Sequence, residues 1–148
     1  MVISIGADHA GVNIRTIIIQ ILEEKKINII DHGTKLNLSV DYPDFAYAVG
    51  NDVAFNRANY GILICNTGIG MSIVANKVKG VRAALVNNSD SAFYCRKHNN
   101  ANVLCIGSKY QNNESVKHIV NTFLKTKFEK GRHVKRINKI LNIDFYKK

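Results

Sequence analysis

A cysteine, Cys65, stands at the end of the apolar run 62–64 and directly before the turn N-T-G-I-G at 66–70. An apolar-periodic segment, 71–78, follows, and this pattern predicts a buried strand, a tight loop and a helix. Glycines let such a loop approach a ligand closely, and amides at a helix start favour anions. The stretch therefore offers a nucleophile or base beside an oxyanion site. The alternative is that Cys65 is a small apolar residue of the core.

Two further pairs of polar residues are expected at the same edge of the sheet. Asp8 and His9 follow the first predicted strand, and Asp41 and Tyr42 open the second predicted helix. Ligands of open α/β sheets bind at the carboxyl ends of the strands, where Cys65 is also expected. The alternatives are helix caps for the two aspartates, a surface position for His9 and a packing role for Tyr42.

A basic segment near the C-terminus supplies a candidate phosphate site. Arg132 and Arg136 are four residues apart in a predicted helix at about 131–142, so they share one helix face. Two guanidinium groups on one face suit a phosphate. A solvated basic helix is the alternative.

The rest of the chain supplies the elements that must position these residues. Their alternation predicts one α/β domain spanning 1–148, which opens with a parallel strand–helix–strand unit. Cys105 lies inside a strand and is assigned to the core, whereas Cys95 receives no role. The patterns predict strands at 2–6, 27–30, 62–64, 82–86 and 103–107, helices at 12–26, 41–58, 71–78, 88–97, 114–128 and 131–142, and a polar loop at 31–40.

Composition excludes several classes of protein. The 148 residues are 46% hydrophobic and contain no apolar run near the length of a membrane span. The N-terminus lacks the pattern of a signal peptide, so a cytoplasmic location is expected. Three cysteines without a C-x-x-C argue against a disulfide framework or a zinc site.

The charge is positive and uneven. The net charge is +10, and residues 109–148 hold eleven Lys or Arg against three Asp or Glu. Such a tail fits nucleic acid, a phosphate-bearing small ligand or no partner at all. Since aromatic residues are not interleaved with the basic ones, nucleic acid is not favoured.

Several motifs together resemble the ribose-5-phosphate isomerase B family, which also contains allose and galactose 6-phosphate isomerases. The resemblance covers nearly the whole chain, in the order of the family. The motifs are G-A-D-H-A-G, D-Y-P, I-L-I-C-N-T-G-I-G-M-S-I-V-A-N-K, R-K-H-N-N-A-N-V-L-C-I-G-S and G-R-H-V-K-R-I.

The resemblance implies a Rossmann-like three-layer α/β/α sandwich with a parallel sheet of about five strands. It also implies a homodimer or a dimer of dimers with active sites at the subunit interface, to which the basic C-terminal helix contributes. The implied activity is aldose–ketose isomerisation of a sugar phosphate without a metal or cofactor, and neither nucleic acid nor a membrane is an expected partner.

The resemblance also implies catalytic roles for three residues. Cys65 matches the general base that moves a proton between C1 and C2, while Thr67 and His98 match residues that open the furanose ring. The amides of the loop after Cys65 match those that hold the enediolate oxygen, which gives Asn66, Gly68, Ile69 and Gly70.

The remaining matched positions correspond to residues that bind the substrate in the family. Asp8 and Tyr42 match sugar contacts, and Asn99 matches a contact beside the ring-opening histidine. His98, Asn99 and some phosphate ligands would come from the subunit that does not supply Cys65. The matched phosphate contacts are His9, Arg132, Arg136 and, with an altered residue type, Lys109.

Three positions depart from the family pattern or select a variant of it. The family commonly has glycine where this chain has Asn66, a residue that tolerates unusual backbone angles. Lys109 replaces a frequent arginine, which keeps the charge and loses the bidentate fork. Some members replace the cysteine with a glutamate a few residues later, but this chain has Met71 in that region, which favours the cysteine variant.

Four functions are compatible with these observations. The first is interconversion of ribose 5-phosphate and ribulose 5-phosphate through an enediolate. The second is isomerisation of a hexose 6-phosphate, which needs a longer site. The third is a flavodoxin-like phosphate- or nucleotide-binding module, although the full G-x-G-x-x-G fingerprint is absent. The fourth is a basic nucleic-acid binder with salt-dependent affinity.

Overall fold

The computed structural model describes residues 1–34 and 38–143 of the chain. Residues 35–37 of the predicted polar loop and the last five residues of the basic tail therefore lie outside the described part. Five strands form a single sheet: β1 (Val2–Ala7), β2 (Asn28–Asp31), β3 (Tyr60–Cys65), β4 (Ala83–Leu85) and β5 (Val103–Gly107). The α-helices of the described part are α1 (Val12–Glu24), α2 (Tyr42–Ala54), α3 (Ile69–Ala75), α4 (Ser89–Lys97), α5 (Asn113–Lys125) and α6 (Arg132–Leu141).

All strand pairs are parallel, and the strand order is β2-β1-β3-β5-β4. The chain moves outward from β1 to β2 on one side and continues with β3 on the other. Such a reversal creates a crevice at the carboxyl ends of the two central strands. The predicted parallel α/β sheet is confirmed, and the reversal lies between β1 and β3.

The sheet is covered by helices on both faces, because side chains alternate along each buried strand. Ile62 and Ile64 of β3 belong to a core shared with α1, α4 and α5. Leu63 and Cys65 of the same strand belong to a second core shared with α2 and α3. The three layers predicted from the resemblance are therefore present. Cys105 is fully buried in the second core, as its place inside a strand predicts.

Three helices end at least three residues before their predicted ends, and one of them is α3, which spans Ile69–Ala75 rather than 71–78. Helix α2 ends at Ala54 rather than near residue 58, because Asn56 adopts a left-handed φ of 58°. Helix α5 ends at Lys125 rather than at 128, because Thr126 is extended and its hydroxyl donates to the Thr122 carbonyl at 2.7 Å. The ends of α2 and α5 depend on backbone angles, which an apolar stripe does not encode.

Helix α6 differs from the others in how little of it is buried. His133 and Ile137 face the protein, whereas Val134, Ile140 and Leu141 are exposed apolar side chains. Arg132 and Arg136 are also exposed. Within the described residues, no helix combines the length and apolarity needed to cross a bilayer.

Candidate active site

Cys65 is the last residue of β3, and its thiol is held by the turn that follows. The side chain is only 5% exposed, and the Gly68 amide donates a hydrogen bond to its sulfur at 3.1 Å. Gly68 can turn back in this way because it has φ +76°. An added Cβ would lie 2.6 Å from a Leu85 methyl and 2.9 Å from the Ile106 carbonyl carbon. An N–H aimed at sulfur stabilises negative charge there, as a base requires.

The same turn rests against the end of the neighbouring strand. A Cβ on Gly107 would lie 2.6 Å from the Thr67 carbonyl oxygen, so only glycine allows this approach. The Lys109 amide donates to the Asn66 carbonyl at 3.0 Å. Asn66 is not among the described residues with positive φ. Asn66 can therefore replace the family glycine without adopting a left-handed backbone conformation.

Asp8 both caps a turn and lies beside the carboxyl end of β3. Its carboxylate accepts from the amides of Ala10 and Gly11 at 3.0 and 3.2 Å, and its own amide donates to the Ile64 carbonyl at 3.3 Å. The side chain is 6% exposed. The capping role and a position near Cys65 are therefore compatible.

His9 is exposed, and its Nδ1 accepts from the Val40 amide at 3.3 Å. A neutral ring that accepts at Nδ1 carries its proton on Nε2, which is then a donor for an anion.

Tyr42 lies over the loop that follows β3. A Cβ on Gly70 would stand 2.5 Å from the ring and 2.9 Å from the hydroxyl, so the phenol packs directly on this glycine. Within the loop, the Ile69 amide donates to the Thr67 hydroxyl at 3.4 Å. These contacts bring Tyr42 and Thr67 to the crevice that contains Cys65. Asp41 occupies the N-cap position of α2 but makes no side-chain capping bond.

A second group of candidate residues surrounds His98 at the end of α4. The His98 ring stacks on the His133 ring with centroids 4.3 Å apart and an interplanar angle of 10°. Tyr94 lies at a centroid distance of 4.9 Å, and a Glu129 carboxylate oxygen lies 3.8 Å from His98 Nε2. Asn99 follows and is exposed. Among the described residues, no hydrogen bond, ion pair or ring contact joins this group to Cys65.

Helix α6 adds the two arginines to this second group. Arg132 and Arg136 lie on the same helix as His133 and act electrostatically on its ring, which stacks on that of His98. The pKa of His133 is lowered, chiefly by burial and further by His98, Arg132 and Arg136, although Glu129 opposes the shift. His133 is therefore neutral at neutral pH.

His98, Glu129 and His133 also offer a possible metal-ligand set, since their ligand atoms lie within 4.8 Å of one another. The geometry does not fit a metal ion, however. Imidazole lone pairs lie in the ring plane, so two nearly parallel stacked rings direct them side by side rather than to one point about 2 Å away. The group fits a stacked histidine pair better than a metal centre.

The other two cysteines are not activated. Burial raises the pKa of Cys95 to about 11, and burial also raises the pKa of Cys105, with smaller contributions from Cys65 and Cys95. Both remain neutral thiols at neutral pH. They contrast with Cys65, whose sulfur receives a backbone N–H.

Sequence reasoning missed two residues at the His98 group, His133 and Glu129. His133 lies inside the G-R-H-V-K-R-I motif, but spacing along α6 does not reveal that its ring stacks on His98. Glu129 lies beyond the point where α5 actually ends. The turn that brings both residues back depends on Lys130 and Gly131, which have φ values of 66° and 51°.

Comparison with known proteins agrees with this architecture. The sequence model of the ribose/galactose isomerase family matches residues 3–140. A Mycoplasma genitalium protein named "Probable ribose-5-phosphate isomerase B" is 46% identical over 145 residues, which cover 96% of this chain and 95% of the relative. The chain therefore belongs to the ribose/galactose isomerase family.

Solved structures of relatives superpose closely on this chain. Ribose-5-phosphate isomerase B of Clostridium thermocellum gives a TM-score of 0.96 at 43% identity, with full coverage of both chains. The Mycoplasma genitalium enzyme, solved with bound ribulose 5-phosphate, gives 0.93 at 44% identity and covers 97% of this chain and 96% of that one.

Proposed function

We propose that this chain is an aldose–ketose isomerase that interconverts D-ribose 5-phosphate and D-ribulose 5-phosphate through an enediolate. The observation that carries the proposal is the pairing of Cys65 with the Gly68 amide in the crevice between β1 and β3. Family membership and the ligand of the Mycoplasma genitalium neighbour support a pentose phosphate as the substrate.

Proton transfer is assigned to Cys65. Its thiolate removes the proton from C2 of the open-chain aldose, and the electrons move onto the carbonyl oxygen to give the enediolate. The proton of the C2 hydroxyl passes to O1, and the same sulfur returns its proton to C1, so that the C2 carbonyl of the ketose forms. The loop amides stabilise the oxyanion. Such a positioned base contributes about 10²–10⁴-fold, and a single oxyanion donor about 10²–10³-fold.

Ring opening must come first, because ribose 5-phosphate is mostly a closed furanose. The C1–O4 bond breaks as the anomeric hydroxyl loses a proton and the ring oxygen gains one. His98 is assigned to one of these proton transfers, and the Thr67 hydroxyl is proposed to assist. A histidine suits this step because its ordinary pKa lies near neutrality.

Substrate binding is assigned to both groups of residues. Asp8 and Tyr42 hold the sugar near Cys65, and Asn99 holds it near His98. Phosphate binding far from the reacting carbons fixes the orientation of the sugar. The proposed phosphate ligands are Arg132, Arg136, His9 and Lys109.

The two groups are proposed to meet across a homodimer. The apolar face of α6 supports this, since Val134, Ile140 and Leu141 are 38, 47 and 46% exposed on the protomer. An amphipathic helix with an uncovered apolar face marks an interaction surface. A second protomer that covers it would bring its own His98 and arginines towards Cys65. Sedimentation equilibrium should then give twice the chain mass or a multiple of that, and a concentration-independent monomer would contradict the dimer.

The test of the proposed reaction is isomerase activity on ribose 5-phosphate and allose 6-phosphate in the presence of EDTA. The wild type should convert ribose 5-phosphate faster, and Cys65→Ala should lose about 10²–10⁴-fold while remaining folded. Cys95→Ala serves as the matched control and should stay active. A preference for allose 6-phosphate would favour the hexose alternative, and activity on neither sugar would sink the isomerase proposal.

The cytoplasmic location and the absence of nucleic-acid and membrane partners stay predictions from the sequence.

A further inference from the structure

The ring of His98 is restrained by side chains from three separate segments. His133 of α6 stacks on it at 4.3 Å, and Tyr94 of α4 lies at 4.9 Å. The Glu129 carboxylate, from the segment between α5 and α6, faces its Nε2 edge at 3.8 Å. The His98 side chain is nevertheless 32% exposed. The ring is thus held in place while one edge stays open.

His133 is held by packing rather than by hydrogen bonds. It is 4% exposed, and its Nε2 is buried without a hydrogen-bond partner among the described residues. Ile137, one turn further along α6, is also buried and anchors the same face of the helix. A ring fixed in this manner presents its face to a neighbour with little freedom.

The charges around the pair favour a neutral His133 beneath His98. The cations that face it are Arg132 and Arg136 on α6, with Lys97 on α4 bonded to Glu129 at 3.4 Å. A neutral ring can stack on an imidazole that gains a proton during the reaction. Two charged imidazoles with centroids 4.3 Å apart would repel each other.

We propose that His133, with Glu129, is a positioning residue that holds the His98 ring in the orientation required for opening the sugar ring. His133 fixes the plane of the His98 ring and Glu129 restrains its Nε2 edge. Neither residue touches the carbons between which the proton moves. This inference rests on the proposed function of His98, and it assigns the pair to ring opening rather than to proton transfer at carbon.

The two steps can be separated with ribulose 5-phosphate. Its 5-hydroxyl is esterified and cannot close on the C2 carbonyl, so this substrate is open-chain. Exchange of its C1 hydrogen with solvent deuterium, followed by NMR, reports proton transfer by Cys65 without ring opening. Conversion of ribose 5-phosphate requires both steps.

The decisive variant is His133→Ala, measured in both assays. Conversion of ribose 5-phosphate should fall at least about 10-fold, which is part of the about 10²–10⁴-fold that a positioned proton-transferring group contributes. Deuterium exchange into ribulose 5-phosphate should stay close to that of wild type. An equal loss in both assays, or no loss in either, would overturn the inference.

Three further variants separate a positioning role of His133 from a simple failure of His133→Ala to fold. His133→Phe keeps the stacked ring and should recover most of the conversion. Glu129→Gln changes an exposed residue, so it should fold even if His133→Ala does not, and it should reduce conversion while leaving exchange intact. His118→Ala is the matched control, because His118 is an exposed histidine that pairs with Glu114 at 3.7 Å, and both rates should be unchanged.

The same data distinguish failure of this inference from failure of the proposed function. If the wild-type protein showed neither conversion nor exchange, the proposed pentose phosphate isomerase function would itself be contradicted. If the wild type is active in both assays, but His133→Ala retains full conversion or loses both rates equally, only the positioning role of His133 is contradicted.

Discussion

The two halves of the proposed site are fixed in different ways. Around Cys65 the backbone sets the geometry, since the Gly68 amide, the approach of Gly107 and the turn after β3 need no distant side chain. Around His98 the geometry depends on side chains from α4, α6 and the segment between α5 and α6. The first half is therefore set by the sheet. The second half depends on how separate segments pack. Changes around Cys65 should affect proton transfer at carbon, whereas changes around His98 should affect ring opening.

Apart from removal of the Cys65 or His98 side chain itself, the largest effect is expected from Gly68→Ala, which disrupts the half whose geometry is set by the backbone. The new Cβ would collide with Leu85 and the β5 backbone and displace the amide from Cys65. We expect activity to fall by about 10²–10³-fold, as for the loss of an oxyanion-type donor. Steady-state kinetics on ribose 5-phosphate measures this.

Gly80→Ala is the control for backbone strain. Gly80 has φ +86°, but a Cβ there would meet nothing within 4 Å. Both variants force an alanine into a left-handed backbone conformation, which costs about 1–2 kcal/mol, whereas only Gly68→Ala produces the clash. Equal losses of activity would show that general strain, rather than the Cys65 contact, is responsible.

Arg136→Ala changes the half of the site around His98, whose geometry depends on side chains. Loss of charged hydrogen bonds worth about 1.5–3 kcal/mol should raise the KM for ribose 5-phosphate by about 10- to 150-fold, with a smaller change in kcat. The neighbouring exposed cation Lys135 provides a control through Lys135→Ala. A fall in kcat at unchanged KM would argue against a phosphate ligand at Arg136.

Asp52→Asn tests the body of the protein, away from both halves. Asp52 is 4% exposed and accepts from Ser4 at 2.8 Å and from Arg57 at 2.7 Å, with His32 Nε2 at 2.6 Å. Burial alone would raise its pKa, but the combined bonds from His32, Arg57 and Ser4 lower it. The carboxylate therefore contributes stability above its unfolded pKa of about 3.9, and this stability is lost as pH falls through the lower folded value.

We expect Asp52→Asn to destabilise the protein by about 1–3 kcal/mol at pH 7, the cost of unsatisfied buried partners. The difference from wild type should shrink as the pH falls below about 3.9, because the Asp52 carboxyl of the unfolded wild-type chain binds a proton there before that of the folded protein does. Urea unfolding at several pH values measures this, with exposed Glu23→Gln as the control. A difference that does not change with pH would contradict the assignment.

The smallest effect is expected from Asn66→Gly. Asn66 is not among the described residues with positive φ, so glycine would relieve no strain in the turn. Its carbonyl, which accepts from Lys109, is retained in the variant. Activity should stay within about twofold of wild type, because substitutions away from strained or buried positions have little effect. A gain of an order of magnitude would show that the departure at Asn66 weakens the loop.

Much of the fold follows from the sequence because its signals are local. The isoleucine stripe of α1 and the apolar runs of β3 and β5 identify their elements, and parallel strands with short loops must share one functional edge. This reasoning places Asp8, Tyr42 and Cys65 together. Helix ends follow less well, since Asn56 and Thr126 stop their helices through backbone angles that the pattern does not contain.

The His98 half is less accessible from sequence for a physical reason. The stack with His133 depends on the path of the segment between α5 and α6, where Lys130 and Gly131 take positive φ. The R-H-V-K-R spacing predicts two arginines on one face but not which ring the intervening histidine meets. A contact between separate segments is invisible to periodicity along one of them.

The most direct test of a site shared by two protomers is subunit complementation between Cys65→Ala and His98→Ala. Each homodimer should be nearly inactive, because every site lacks one of the two groups. In a mixed dimer one site carries both lesions and the other carries neither.

Co-folding equal amounts of the two variants should therefore restore about a quarter of the wild-type sites, since half of the dimers are mixed and each has one intact site. That recovery is the result that the account predicts. If the mixture is no more active than the separate variants, although mixed dimers are shown to form, the two groups do not combine across the interface and the two-protomer site is wrong.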